Sequence, residues 1–303
     1  MTSFRKTIDG EVRFYISPHS SCPCGSGNPA CACCLTVCGF KKLAALTSPP
    51  PPATGNTLPA CYAAPLVDCS LKLSREHFVS ESLLNELNRD DDLRVSGLRW
   101  QQEGQQKVLS PNALASKILC DRHNSALSSL DAIAVRLFGA FNEEGASGSG
   151  RQLLYLFSGA DLERWLLKIL CGLVYSRSLA IENATEVAIP KQWLEILFGN
   201  ADFLEGQGLY VCTVPGHRFE GPYGLMLQAI AGSGGVSGLG LWVCGYELIL
   251  SMSGFPSRSF DGRTVAYRPL ELHTTGPEFE KSIILCWQGL ADLGTLSLEI
   301  GGT

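Results

Sequence analysis

Methionine and histidine are scarce in this 303-residue chain, with three and five copies, and only 17% of its residues are Asp, Glu, Lys or Arg. The net charge of −5 leaves no basic excess. That weak balance argues against tight nonspecific binding to nucleic acid, which needs many phosphate-neutralising cations. No apolar run reaches the length of a membrane span, and no terminal stretch joins a charged start to an apolar run and a small-residue cleavage site. The expectations are therefore no membrane partner and a cytoplasmic location. With 45% hydrophobic residues the chain does not read as disordered, and its length suits two domains or one large domain with appendages.

Cysteine, by contrast, is abundant. Of 13 cysteines, nine fall before residue 121. Without a secretory leader such crowding points to metal binding rather than disulfides. Cys171, Cys212, Cys244 and Cys286 are scattered among apolar residues and read as buried thiols. The tightest cluster is Cys22-Pro-Cys24-Gly-Ser-Gly-Asn-Pro-Ala-Cys31-Ala-Cys33-Cys34, whose glycines let the backbone fold back so that thiolates on both sides converge on one tetrahedral ion. Cys-x-Cys, eight residues, then Cys-Cys resembles the SEC-C motif found at the tail of a bacterial preprotein-translocase ATPase and in many unrelated proteins. The resemblance implies structural Zn²⁺ on Cys22, Cys24, Cys33 and Cys34, in a closed site suited to docking rather than catalysis. Asn28-Pro29-Ala30 replaces the basic and aromatic residues usual within the motif. Cys31 and Cys38 are left as ordinary thiols.

The chemistry-bearing stretch runs from Cys69 to Asp131. It holds Arg75-Glu76-His77 at one end and Cys120-Asp121-Arg122-His123-Asn124, then Asp131, at the other. Hydrolysing a phosphodiester needs a base near neutrality, which suits His77. It also needs a hard divalent cation, for which Glu76, Asp131 or an Asn carbonyl are suitable oxygen ligands. These residues resemble the HNH, or His-Me finger, endonucleases, over roughly Cys61 to Leu137. The resemblance implies a ββα finger with His77 as general base, Glu76 and Asp131 as ligands of Mg²⁺ or a similar ion, and Asn124 orienting the loop. Cys61, Cys69, Cys120 and His123 form a second candidate zinc set, with His123 standing where a second knuckle cysteine is usual. The spacer between His77 and Asn124 is long, and the last metal position is Asp rather than His or Asn.

Taken in order, Ser3 to Ile8 and Glu11 to Ile16 read as a hairpin about Asp9-Gly10, which suits a type I′ turn. Residues 47–60, with Pro49 to Pro52, form a semi-rigid linker or a surface loop. Leu93 to Trp100 and Gln106 to Leu109 read as paired strands, and Asp90-Asp91-Asp92 as a solvated turn. Helical spacing follows from Asn124, with Leu127, Leu130, Ile133, Leu137, Phe138 and Phe141 on one face. Gly145 to Gly150 reads as a flexible boundary. Asp161 to Ser176 is an amphipathic helix and Pro190 to Phe198 a shorter one. Strands are expected at Leu209 to Val214, Leu225 to Ala231, Gly240 to Met252, Thr264 to Leu272 and Ser282 to Trp287.

The fold expected is α+β. A hairpin and knuckle occupy residues 1–46, a Pro-rich linker 47–60, a zinc-stabilised ββα finger 61–145, and an antiparallel sheet packed on helices 151–303. Residues 1–130 carry 13 Lys and Arg against 11 Asp and Glu, net +2, and the remainder 11 against 18, net −7. A nucleic-acid surface therefore belongs in the first half, near Arg75, Arg94, Arg99, Lys107, Lys117 and Arg122, and the acidic remainder suits a protein partner. The activity expected is metal-dependent endonucleolytic cleavage, DNA ahead of RNA, in a setting such as bacterial defence or a mobile element. The alternative is a non-catalytic zinc adaptor that binds nucleic acid or protein.

Overall fold

The computed structural model describes residues 4–8, 11–37, 39–88, 93–102, 104–143, 151–179, 188–214, 224–232, 235–243, 245–255, 260, 262–276, 279–288 and 295–299. Asp9-Gly10, Cys38, Asp90 to Asp92, Gly145 to Gly150 and Cys244 lie outside these residues. The chain is mixed α+β, as its alternating periodicities predict.

A hairpin opens it, β1 (Phe4–Ile8) paired antiparallel with β2 (Glu11–Tyr15). The cysteine-rich loop follows and closes on the short pair β3 (Leu35–Thr36) and β4 (Gly39–Phe40). Residues 47–60 form no helix or strand but lie against the body of the protein. Ser48 Oγ donates to the Phe198 carbonyl (2.6 Å) and the Arg122 guanidinium to those of Pro50 and Pro52 (2.5 and 3.1 Å).

Next come β5 (Leu73–His77), α1 (Glu81–Leu87), β6 (Arg94–Ser96), β7 (Lys107–Val108), β8 (Ala115–Cys120) and α2 (Asp121–Asn142). β5 and β8 pair antiparallel, Leu73 opposite Cys120 and His77 opposite Ala115, with a bulge between Ser74 and Glu76. α2 leaves β8 directly and buries Leu127, Leu130, Leu137, Phe138 and Phe141 along the expected stripe. The long spacer between the two strands is thereby filled by α1 and the β6–β7 pair.

The second half contains β9 (Arg151–Ser158), α3 (Gly159–Tyr175), α4 (Lys191–Leu197), β10 (Gly208–Thr213), β11 (Gly224–Gly232), β12 (Gly235–Val243), β13 (Tyr246–Ser251), β14 (Thr264–Tyr267), β15 (Glu271–Thr275), β16 (Phe279–Cys286) and β17 (Thr295–Glu299). The single antiparallel sheet expected here is instead two mixed sheets. One runs β14-β10-β13-β12-β11-β6-β7 with β6 and β11 parallel; the other runs β17-β15-β16-β9 with both outer pairs parallel. Gly240 to Met252 is two strands joined by a turn, and Thr264 to Leu272 divides between the sheets at Arg268, whose φ is +48°. β9 and α1 add to the elements expected from the sequence: α1 has only seven residues, and β9, eight residues long, directly follows glycine-rich sequence that reads as a loop.

The sheets also cross the expected domain boundary. β6 and β7, from segment 61–145, complete the sheet of the second half, and one buried core runs from Cys61 to Leu285. Gly97 permits the junction: at φ +90°, a Cβ there would lie 1.7 Å from the Leu227 carbonyl oxygen of β11. At the centre is α3, packed against strands of both sheets. Its apolar stripe predicts one buried face, but Glu163 and Lys168 are also buried, so it is enclosed all round.

Candidate functional site

Three constellations stand out. In the first, Cys22 and Cys24 precede a turn closed by the Cys22 amide donating to the Asn28 carbonyl (2.8 Å), and Cys33 and Cys34 return from the other side. Gly25, at φ +76°, makes that reversal. The Cys24–Cys33 and Cys33–Cys34 sulfurs are 3.5 and 3.6 Å apart, and all four lie within 4.8 Å of one another. Four thiolates around a tetrahedral Zn²⁺ are separated by about 3.8 Å, so the set fits the ion. Burial opposes ionisation of Cys24, but hydrogen bonds from Ser26 and Cys22 hold its thiol down to about 6. Arg136 of α2 donates to the carbonyls of Cys24 and of Leu156 in β9, bringing a cation to this cluster. Cys31 is exposed and outside the set.

The second cluster comprises Cys61, Cys69, Cys120 at the end of β8, and His123 in the first turn of α2, all buried. His123 Nδ1 lies 3.1, 3.7 and 3.8 Å from the sulfurs of Cys120, Cys61 and Cys69. Zinc with one nitrogen and three sulfur ligands requires about 3.5 Å. Burial lowers the His123 pKa to about 4, so the ring is neutral and its lone pair is available to a metal. Both clusters can thus hold a metal ion and suit structural zinc. The second pins segment 61–69 to the corner where β8 becomes α2.

The third constellation holds the residues expected to be catalytic. Asn124 Nδ2 donates to Ser74 Oγ (2.8 Å), strapping α2 to β5 just before the bulge. His77 ends β5. Its Nδ1 faces Glu81 of α1 at 3.8 Å, and its Nε2 is buried with no hydrogen-bond partner among the described residues. Burial lowers the His77 pKa below the ordinary histidine value. Glu76 and Asp131 do converge, but on a third side chain. Lys168 Nζ of α3 lies 2.6 Å from Glu76 Oε1 and donates to both Asp131 carboxylate oxygens at 2.7 Å. Ser80 Oγ donates to Asp131 Oδ1 (2.6 Å) and accepts from Trp165 Nε1 (3.1 Å). The Glu76 and Lys168 side chains are 5% and 2% exposed, whereas Asp131 is 33% exposed.

Two carboxylates outweigh the burial of Lys168 and raise its pKa, so it stays an ammonium. Burial raises the Glu76 pKa against the pull of Lys168. The residues therefore do not fit the catalytic Mg²⁺ that the HNH resemblance implies: the position between its two carboxylate ligands is held by an ammonium group. Sequence reasoning missed Lys168. It lies on the helix whose stripe reads as core, 92 residues from Glu76.

Among the basic residues expected to face nucleic acid, Arg75, Arg94, Arg99, Lys107 and Lys117 are exposed. Arg122 is instead tied to Asp68 and the proline loop. A separate cavity of about 580 Å³ is lined by Glu163, Arg164, Tyr267, Arg268 and Trp287, where Arg268 pairs with buried Glu163 at 2.7 Å. No protein family, curated protein or solved structure matches the chain. The geometry of its own residues is what bears on function. No described helix is long and apolar enough to cross a membrane.

Proposed function

We propose that this protein is a zinc-scaffolded nuclease that hydrolyses phosphodiester bonds, in DNA ahead of RNA, with His77 as general base. What carries the reading is the corner formed by β5, β8 and α2. There the Asn124–Ser74 bond and the Cys61–Cys69–Cys120–His123 cluster fix β5, in which His77 directly follows the Glu76 that Lys168 ties to Asp131. The two metal clusters are structural, since four protein ligands leave no position for substrate. In this reading a neutral His77 takes a proton through Nε2 once that buried atom is opened to water, while Glu81 faces the other ring nitrogen and stabilises the imidazolium that results. Exposed Arg75, one residue from Glu76, offers a guanidinium to a phosphate. The acidic second half, at net −7, is assigned to a protein partner.

A specific observation favours the second reading, a non-catalytic zinc adaptor. Glu76 and Lys168 are buried and His77 Nε2 is closed to solvent. Cleavage separates the two. Protein carrying two zinc ions, with and without Mg²⁺, is incubated with single- and double-stranded DNA and with RNA, beside a folded His77→Ala variant. The nuclease reading expects cutting by the parent and a loss on the order of 10²–10⁴-fold in the variant. If the zinc-loaded parent cuts none of these substrates, the adaptor reading replaces it.

A further inference from the structure

The Glu76–Lys168–Asp131 cluster is the point at which the chain departs from the chemistry its sequence resembles. We infer that Lys168 stands in the cation position between Glu76 and Asp131, so that the site draws its positive charge from the polypeptide and takes no divalent ion. The inference concerns the same site as the nuclease reading, but its test does not require cleavage.

Geometry and charge both support it. The ammonium meets Glu76 Oε1 at 2.6 Å and both Asp131 oxygens at 2.7 Å, the oxygen-rich surroundings that a hard divalent ion would otherwise use. Lys168 projects from α3, which is enclosed by both sheets, and its side chain is 2% exposed. It cannot be set aside cheaply: a displaced ammonium would have to desolvate again elsewhere in the core or carry its stem out past Asp131. An ion entering beside it would face a like charge at contact distance in a low-dielectric setting. Two carboxylates and one ammonium leave the cluster at −1, whereas adding a divalent ion would leave +1 buried without a counter-charge.

Its place in the fold indicates what this cation does. Glu76 comes from β5, Asp131 from α2 and Lys168 from α3, so one group joins the strand that ends in His77 to both central helices. Ser80, itself hydrogen-bonded by Trp165 of α3, donates to the same Asp131 oxygen, Oδ1, that Lys168 meets. Being buried, Lys168 touches no substrate. It acts as a positioning residue, fixing Glu76 and, through the backbone, the adjoining His77.

The test is Mn²⁺ binding, read by electron paramagnetic resonance on the 303-residue chain after its zinc content has been verified as two ions, in buffer freed of other metals by a chelating resin. The wild type is expected to bind no Mn²⁺ at millimolar concentration. Lys168→Met is expected to bind one, and Lys168→Met with Asp131→Asn to lose it. A wild type that binds one Mn²⁺ and loses it on Asp131→Asn overturns the inference, and that comparison decides even if Lys168→Met does not fold. A folded Lys168→Met that stays free of Mn²⁺ overturns it too, because the carboxylates would then not form a cation position. Cleavage that requires added Mg²⁺ would likewise remove the inference while preserving the nuclease. Absence of all cleavage would remove the nuclease and leave the Mn²⁺ result standing.

Discussion

At the scale of single residues, the electrostatics of His77 and Lys168 make separable demands on experiment. Burial depresses the His77 pKa, so the folded protein holds this ring neutral at pH values where the unfolded chain already protonates it. Its stability contribution is therefore fully present above the unfolded value of about 6.5 and is lost as pH falls below it. His77→Asn should show a smaller drop in melting temperature between neutral and mildly acidic buffer than the parent. For the same reason, the acid limb of any pH–rate profile should fall below pH ~6.5. Lys168→Ala strands two carboxylates, one of them buried. Breaking such a cluster costs about 3–5 kcal/mol, measurable as a lower urea midpoint with an unchanged slope. The two residues differ in how far the sequence marks them. His77 stood out because Glu-His ends a strand. Lys168 was hidden because a lysine on a leucine-rich helix ordinarily snorkels to solvent.

At the scale of elements, α2 is the connecting rod. Its first turn supplies His123 to one cluster able to hold a metal ion and Asn124 to β5. Further along, Asp131 meets Lys168, and Arg136 reaches the Cys24 carbonyl of the other cluster. A tetrathiolate zinc site carries net negative charge, and a guanidinium beside it offsets part of that charge. Arg136→Met should therefore weaken zinc in the Cys22–Cys24–Cys33–Cys34 cluster on the order of 10–100-fold and leave the His123-containing cluster loaded. Cobalt substitution would check this, because the four-sulfur and three-sulfur-one-nitrogen sites absorb differently. The register of α2 was legible from its three- and four-residue apolar spacing. The role of Arg136 was not, since the partner that gives it meaning lies 112 residues away.

At the scale of the whole molecule, the two clusters able to hold a metal ion differ in exposure, which predicts an order of loss. Cys33 is exposed in the first cluster, whereas all four ligands of the second are buried. A chelator should therefore take the first ion quickly and the second only with global unfolding. A zinc-sensitive dye followed alongside circular dichroism would show two phases, and only the slower one should coincide with lost secondary structure. The cysteine spacings, the helix stripes, the hairpin and the Glu-His and Cys-Asp-Arg-His-Asn segments were readable from the sequence, because each is a local pattern fixed by chain geometry over a few residues. Tertiary structure alone decided that strands from the middle segment join the sheet of the second half, and that β9 pairs parallel with β16, 128 residues away. It alone decided that an ammonium sits between Glu76 and Asp131. Strand partners and buried counter-charges are chosen by what the rest of the chain brings into contact, and the residues that supply them carry no local mark of the choice.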